Sequence, residues 1–403
     1  MVKRLLHIVF IGAVLACSDH SYRGDADAGV VEEELVPVMV VVGDPDHLIV
    51  TPSGKGQGAI DSDTKEAWED ASIYVFAFKR DLQTSFSVTS QEDSEWCLLD
   101  GSGDEMGSLA GKKARIGMLD SYVAWEGINR KIYYPQSNQP YDFYGYYIDD
   151  IPVEQEKITR TDDAVQIEVE IDGTQDLMTS KAELTDDQLY REDLTDEDRL
   201  DILNYSYSAY TAKRNIQPVM YFKHHLARLR FELYPGRVEA NEVYVDSITV
   251  RSKDRAIFTV AHKADDRMGV DFSMDSTYTF LSLRETDGSR LRRDTYHTDY
   301  TGDYNLPLYE RDGVQVGGSL LVAPDTQYEA HIYLKERGKG NNSMVYTYEN
   351  VVPITCNEGY FEAGKQYTVR IGVYGMMEID VGVEIVPWGY GGSITIDQED
   401  RYE

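Results

Sequence analysis

Along most of the chain apolar and polar positions alternate in short runs, the period-2 rhythm of β-strands. Such runs are predicted at 73–78, 95–99, 114–119, 131–134, 141–148 and 164–171. A second series covers 220–234, 243–252, 256–261, 319–322, 328–335, 344–353, 367–374 and 381–387. Turn-forming residues separate them, which is the spacing of a β-sandwich rather than of βαβ units. Two segments break the rhythm. Residues 36–42 are apolar at every position, so the strand they predict should be covered on both faces. Pro37 cannot donate to a ladder, so that strand should lie at a sheet edge or begin there. Residues 185–203 are acidic, with loosely spaced leucines, and predict a helical insertion in which Thr185 and Thr195 each cap a helix start. Strand signals restart near Gln217, which places an expected boundary near residue 215 and divides the chain into 35–214 and 215–403.

The first seventeen residues read differently. Lys3 and Arg4 precede an apolar run from Leu5 to Ala16, well short of the roughly 20 residues that span a bilayer, so 1–17 reads as a secretory leader. The run ends in Val14-Leu15-Ala16-Cys17. This is the lipobox pattern, with cleavage between Ala16 and Cys17 and acylation of the Cys17 thiol. Residues 18–34 are too polar to bury a core and predict a flexible tether. Lipid on Cys17 would then be the attachment to the outer membrane, with the chain exposed at the cell surface.

Composition narrows the partners. A formal net charge of −32 repels phosphate backbones, so no nucleic-acid partner is expected. Thirty tyrosines among 403 residues suit half-buried sheet faces and support an all-β chain. Besides Cys17 there are two cysteines, Cys97 and Cys356; two free, partly buried thiols are favoured over a disulfide, though the sequence leaves the pairing open. No CxxC pair or Cys/His cluster suggests a metal, and no cofactor is expected. The carboxylate groups at 100–105 and 193–198 lack the EF-hand pattern and read as solvated surface. No nucleophile elbow is found, so no catalytic residue is assigned and the chain reads as a non-enzyme. In 222–231 His225 falls on the apolar parity with Ala227, Leu229 and Phe231, and reads as a core histidine bonded to a backbone carbonyl.

Several phrases match one family in order: Tyr133-Tyr134-Pro135, Tyr141-Asp142-Phe143-Tyr144, Asp176-Leu177-Met178, and Phe222 to Phe231. Leu320-Leu321-Val322-Ala323-Pro324, Phe361-Glu362-Ala363-Gly364-Lys365 and Val383-Glu384-Ile385-Val386-Pro387-Trp388 follow. In these the chain resembles the fimbrillin-like proteins of Bacteroidales. The resemblance implies two tandem transthyretin-like β-sandwich domains, lipoprotein export, and assembly with other fimbrial subunits into type V pili by β-strand addition. The strand exchanged would be 36–42, with Val36, Val38, Val40 and Val42 as its alternate positions. Shaft subunits of the family lose that strand to an Arg- or Lys-directed protease. No Arg lies between Arg23 and Arg80, which favours an anchor, tip or accessory subunit over a shaft subunit. A host protein or glycan is the candidate adhesion ligand. The competing reading is a surface glycan-binding lipoprotein, using tyrosines and some of Trp68, Trp96, Trp125 and Trp388 to stack on sugars, with Trp388 itself read as core.

Overall fold

The alternation in 72–79 sets the architecture of the first half. In β2 (Ser72–Lys79) Ile73, Val75 and Ala77 point to one side of the sheet and Tyr74, Phe76 and Phe78 to the other, as strand geometry requires. Both sets enter hydrophobic cores, but different ones. The central strand β6 (Tyr141–Tyr147) divides likewise: Tyr141, Phe143 and Tyr147 join one core, Tyr144 and Tyr146 the other. The computed structural model describes residues 35–42, 71–103, 109–116, 122–127, 130–149, 153–273, 277–336 and 346–387.

β2 and β6 lie in a seven-stranded sheet. It also contains β3 (Cys97–Leu99), β4 (Lys112–Ile116), β5 (Val123–Trp125), β9 (Met178–Lys181) and β11 (Lys223–His224). The order is β11-β9-β6-β2-β4-β5, with β3 paired to β2. One face packs toward a four-stranded sheet of β7 (Ile158–Arg160), β8 (Ala164–Glu170), β14 (Arg255–His262) and β15 (Gly269–Asp271). The Tyr146 ring meets Phe258 edge-on at 6.0 Å across this interface.

Two further four-stranded sheets are built by the second half. The first runs β17 (Val314–Val322), β12 (Ala227–Pro235), β20 (Lys365–Gly375), β21 (Glu378–Pro387). The other runs β16 (Tyr278–Ser282), β13 (Val243–Lys253), β18 (Tyr328–Glu336), β19 (Tyr346–Ile354). Phe361 bridges them, 4.7 Å from the Tyr328 ring and 4.6 Å from that of Tyr367. The chain is therefore all-β, with short 3-10 turns and, among the described residues, its α-helices at one place. There α1 (Asp186–Leu189) and α2 (Asp196–Asn204) start on capping boxes at Thr185 and Thr195, and α3 (Ala209–Ala212) follows. Ladders join strands from the two sides of residue 215: β9 pairs β11, and β8 pairs β14.

Some expected strands differ. Residues 131–134 form no strand, only a bridge from Tyr133 to Pro37. The run expected over 220–234 is broken into β10 (Val219–Met220), β11 and β12. The second break, between β11 and β12, falls at His225 and Leu226: the His225 amide turns to Leu177 O, and Leu226 O accepts from Gly364 N. Face parity is lost there, so Leu226, Ala227, Arg228 and Leu229 are all buried. The short strands β5, β7, β9, β15 and β16 carried no clear period in the sequence.

Candidate functional site

The segment 35–42 enters the structure as a stave between two neighbours. Val38 and Val40 are buried at 3% and 0% exposure, and Val36 and Val42 pack partly buried against the same core. Pro37 is exposed, and Met39 and Val41 are half-buried. One face of the segment is thus buried and the other only half covered, which corrects the expectation of two covered faces. The strand proper, β1, is Val41–Val42.

On one side it runs antiparallel to residues 122–125 and 132–134. Tyr134 N donates to Val36 O at 2.9 Å, Val38 N to Ile132 O at 2.7 Å, and Val123 N to Val40 O at 2.9 Å. The Trp125 indole N–H adds a bond to Val38 O at 3.1 Å. On the other side β1 runs parallel to β10, with Val41 opposite Val219 and Val42 opposite Met220. The Val41 amide donates to Pro218 O at 2.9 Å. So the segment begins with one neighbour at Pro37 and ends with two at Val41.

β10 closes the circuit. Glu183, two residues beyond the end of β9, bridges Val219, its amide donating to Val219 O at 3.3 Å. The path β9-β6-β2-β4-β5, then 36–42, then β10, returns to its start. Closure rests on the two-residue pairing of β1 with β10 and the Glu183–Val219 bridge, so the edge is covered there, while 36–40 keep one unpaired side among the described residues. The interior of the circuit is a core of Val38, Val40, Ile73, Val75, Phe143 and Met220, among others. Fit is close here: a Cβ on Gly145 would lie 2.7 Å from the Met220 sulfur. Burial of Val38 and Val40 contributes about 3–6 kcal/mol together, at roughly 1.5–3 for each side chain. Withdrawing the segment would uncover that apolar lining and two strand edges. Two hydroxyls in the same core, on Tyr134 and Tyr207, are buried without a hydrogen-bond partner among the described residues.

The other residues singled out from the sequence scatter. Ala16, Cys17, Trp68 and Trp388 lie outside the described residues. Cys97 and Cys356 are buried free thiols. Burial, reinforced by the nearby Asp100 carboxylate, pushes the Cys97 thiol far above its usual range. Trp125 is buried beside Val38, and Trp96 carries Lys79 over its ring at 4.4 Å. Asp100, read as solvated, is fully buried and bonded to Arg160 Nη1 at 2.8 Å. Asp198 serves the Thr195 capping box and Asp193 pairs with Arg191, so neither group is a ligand cluster. His225 Nε2 meets Thr179 Oγ1 at 2.6 Å rather than a backbone carbonyl, and burial lowers its pKa to about 4. Among the described residues no group of three His, Cys, Asp or Glu side chains could hold a metal ion.

A family model, fimbrillin-like, matches residues 119–388. A search of the curated proteins gives no match. Among solved structures the chain is similar to a candidate cell adhesion protein of Bacteroides uniformis. The identity is 12% over 88% of this chain and 99% of that one, with TM-score 0.46. A second such protein, from Bacteroides ovatus, gives 10% over 88% and 99%, with TM-score 0.46. The fimbrial anchor protein Mfa2 of Porphyromonas gingivalis gives 12% over 87% and 97%, with TM-score 0.32.

Proposed function

Because this chain belongs to the fimbrillin-like family, a family of surface fimbrial subunits, we propose that it is a structural and adhesive fimbrial subunit that assembles by β-strand addition. It acts as an anchor, tip or accessory subunit, without enzymatic activity. Its two sandwich domains fall on 35–214 and 215–403, with β11, β14 and β15 of the second stretch lent to the sheets of the first. Cleavage before Cys17 and acylation of its thiol attach it to the outer membrane through the tether 18–34. Other fimbrial subunits are its partners.

One observation carries this reading. The stave 36–42 follows a polar stretch of sequence and, among the described residues, has a single hydrogen-bonded neighbour over its first half. A strand in that position can leave or be replaced without unthreading the rest of the chain. Its replacement must supply backbone groups to two edges and small apolar side chains at alternate positions. The absence of Arg between Arg23 and Arg80 leaves the Arg-directed cut of shaft subunits without its site and supports an anchor, tip or accessory subunit.

The test is deletion of residues 18–43 from the secreted chain. The deleted protein should stay soluble and either oligomerise or bind a synthetic peptide of residues 35–43. A deleted protein that unfolds and is rescued by no subunit strand overturns strand addition. Cys17→Ser should abolish palmitate labelling and membrane retention; unchanged labelling overturns the anchor independently.

A further inference from the structure

On the outer face of the sheet β16-β13-β18-β19, at the end where β18 begins and β19 finishes, lies a pocket of about 340 Å³. That volume suits a small ligand. Arg251, Tyr278, Asp325, Gln327, Glu329 and Pro353 line it. Register explains the convergence: Arg251 on β13 lies opposite Phe280 on β16 and opposite Glu329 on β18. Tyr278 and Phe280 are two residues apart on β16 and so share a face. They are 47% and 44% exposed.

The polar groups are held ready. The Tyr278 hydroxyl donates to Asp325 Oδ2 at 3.1 Å, and the Arg251 guanidinium sits 4.7 Å from the Tyr278 ring centroid. The Thr326 amide donates to the other Asp325 oxygen at 2.7 Å. Neither the Arg251 guanidinium nor the Gln327 amide bonds to another described residue, so both can serve a ligand. The pocket therefore offers planar donors, carboxylate acceptors and an amide beside the partly exposed Tyr278 ring, while Phe280 packs 4.4 Å from the His331 ring, outside the lining. A sugar ring presents the complement, an apolar C–H face for the Tyr278 ring and adjacent hydroxyls that each donate and accept.

We propose that this pocket binds a neutral oligosaccharide, with the Tyr278 ring edge carrying an apolar face and Arg251, Gln327 and Asp325 its hydroxyls. Neutrality rests on the balance of charge, two carboxylates against the one Arg251 guanidinium at the pocket. Asp325 and Glu329 flank the pocket, and the chain carries a net charge of −32, so a carboxylated sugar meets repulsion. The site lies on different sheets from the first-strand slot and does not depend on strand addition.

Saturation-transfer NMR and calorimetry on the full mature chain test it, against neutral hexose and N-acetylhexosamine oligomers and against uronate-containing ones. At least one neutral oligomer should bind. Tyr278→Ala and Arg251→Ala should each weaken it about tenfold, the effect of losing one charge-assisted or stacking contact. Both positions are exposed, and unchanged melting temperatures would show that the variants remain folded. Tyr190→Ala, at a 68% exposed tyrosine just after α1, should leave binding unchanged. No binding of neutral oligomers, binding of uronates alone, or equal affinity in the pocket variants overturns the assignment.

Discussion

Arg160 reaches Asp100 across 60 residues of sequence, Nη1 to Oδ2 at 2.8 Å, with both side chains almost wholly buried. The pair organises the loop between β2 and β3. Arg160 also donates to Phe86 O at 2.7 Å and Val88 O at 2.6 Å, while Asp100 accepts from Ser90 and Ser102. Burial alone would raise the Asp100 pKa. Hydrogen bonds from Ser90, Arg160 and Ser102 together outweigh it, and the carboxyl titrates below its usual value.

Removing one partner leaves the other charged and buried, so Asp100→Ala or Arg160→Met should cost about 3–5 kcal/mol. The double variant should cost less than the sum of the singles. Because the folded pKa is the lower one, the contribution is present above about pH 4 and is lost as pH falls through the folded value. Urea midpoints of the four proteins check the first point, and acid titrations the second.

His225 acts in a separate pH window. Its folded pKa is about 4, lowered by burial first and then by His224 and Lys223, against about 6.5 unfolded. Between those values the unfolded chain holds the extra proton, so stability falls on acidification. The loss between pH 7 and pH 5 should be about 2 kcal/mol. His225→Gln can keep a hydrogen bond to Thr179 without titrating, and should flatten this limb while leaving the lower one. Equal slopes in the two proteins would show that the imidazole titrates as an exposed one.

The strands that could be read in the sequence are those with a local cause. β2 and β6 carry alternating large side chains, and Thr185 and Thr195 sit three residues before Gln188 and Asp198, completing capping boxes. The rest depends on partners far along the chain. Asp100 stands in a Gly- and Ser-rich acidic stretch indistinguishable from surface until Arg160 is placed beside it. The pairing of Val41 with Val219 is parallel and spans almost half the chain, so nothing near either residue announces it. The break at His225 is set by Leu177 and Gly364, residues far away in the sequence. The pocket at Tyr278 is assembled from β13, β16, β18 and β19, each of which contributes only one to a few ordinary side chains.

Tyr134 and Tyr207 offer a stabilising change. Each buries its hydroxyl without a partner among the described residues, which costs about 1–3 kcal/mol relative to a satisfied group. Tyr134→Phe and Tyr207→Phe remove the oxygen and keep the ring. Each should raise stability by about 1 kcal/mol, read as a higher urea midpoint at unchanged slope. A fall in stability would mean that the hydroxyl has a partner, such as an ordered water.

Proteolysis should start in the helical segment. Tyr190, Leu200 and Leu203 are 68%, 62% and 49% exposed, and α1 spans only Asp186–Leu189, held at its start by its cap. A first cut there should leave the fragments associated on gel filtration, because β9 pairs β11 and β8 pairs β14 across it. Fragments that separate without denaturant would show those ladders to be weak.

Trp125 and Val38 give the sharpest handle on the first strand. The indole N–H donates to Val38 O at 3.1 Å, and the ring is 8% exposed. That bond is the only side-chain tie among the described residues to the backbone of 36–42 on its antiparallel side. Trp125→Phe keeps an aromatic ring in the core but removes the donor and some volume. The cost should be about 1–3 kcal/mol. If 36–42 opens as a unit ahead of the rest, that loss appears as faster hydrogen exchange at the amides of Val38, Val41 and Val123, with β13 and β18 unaffected. Binding of a peptide of residues 35–43 to the variant should rise in step, because the same opening admits it. If exchange accelerates equally throughout the chain, the first strand is part of the global folding unit and strand replacement cannot proceed from the folded protein.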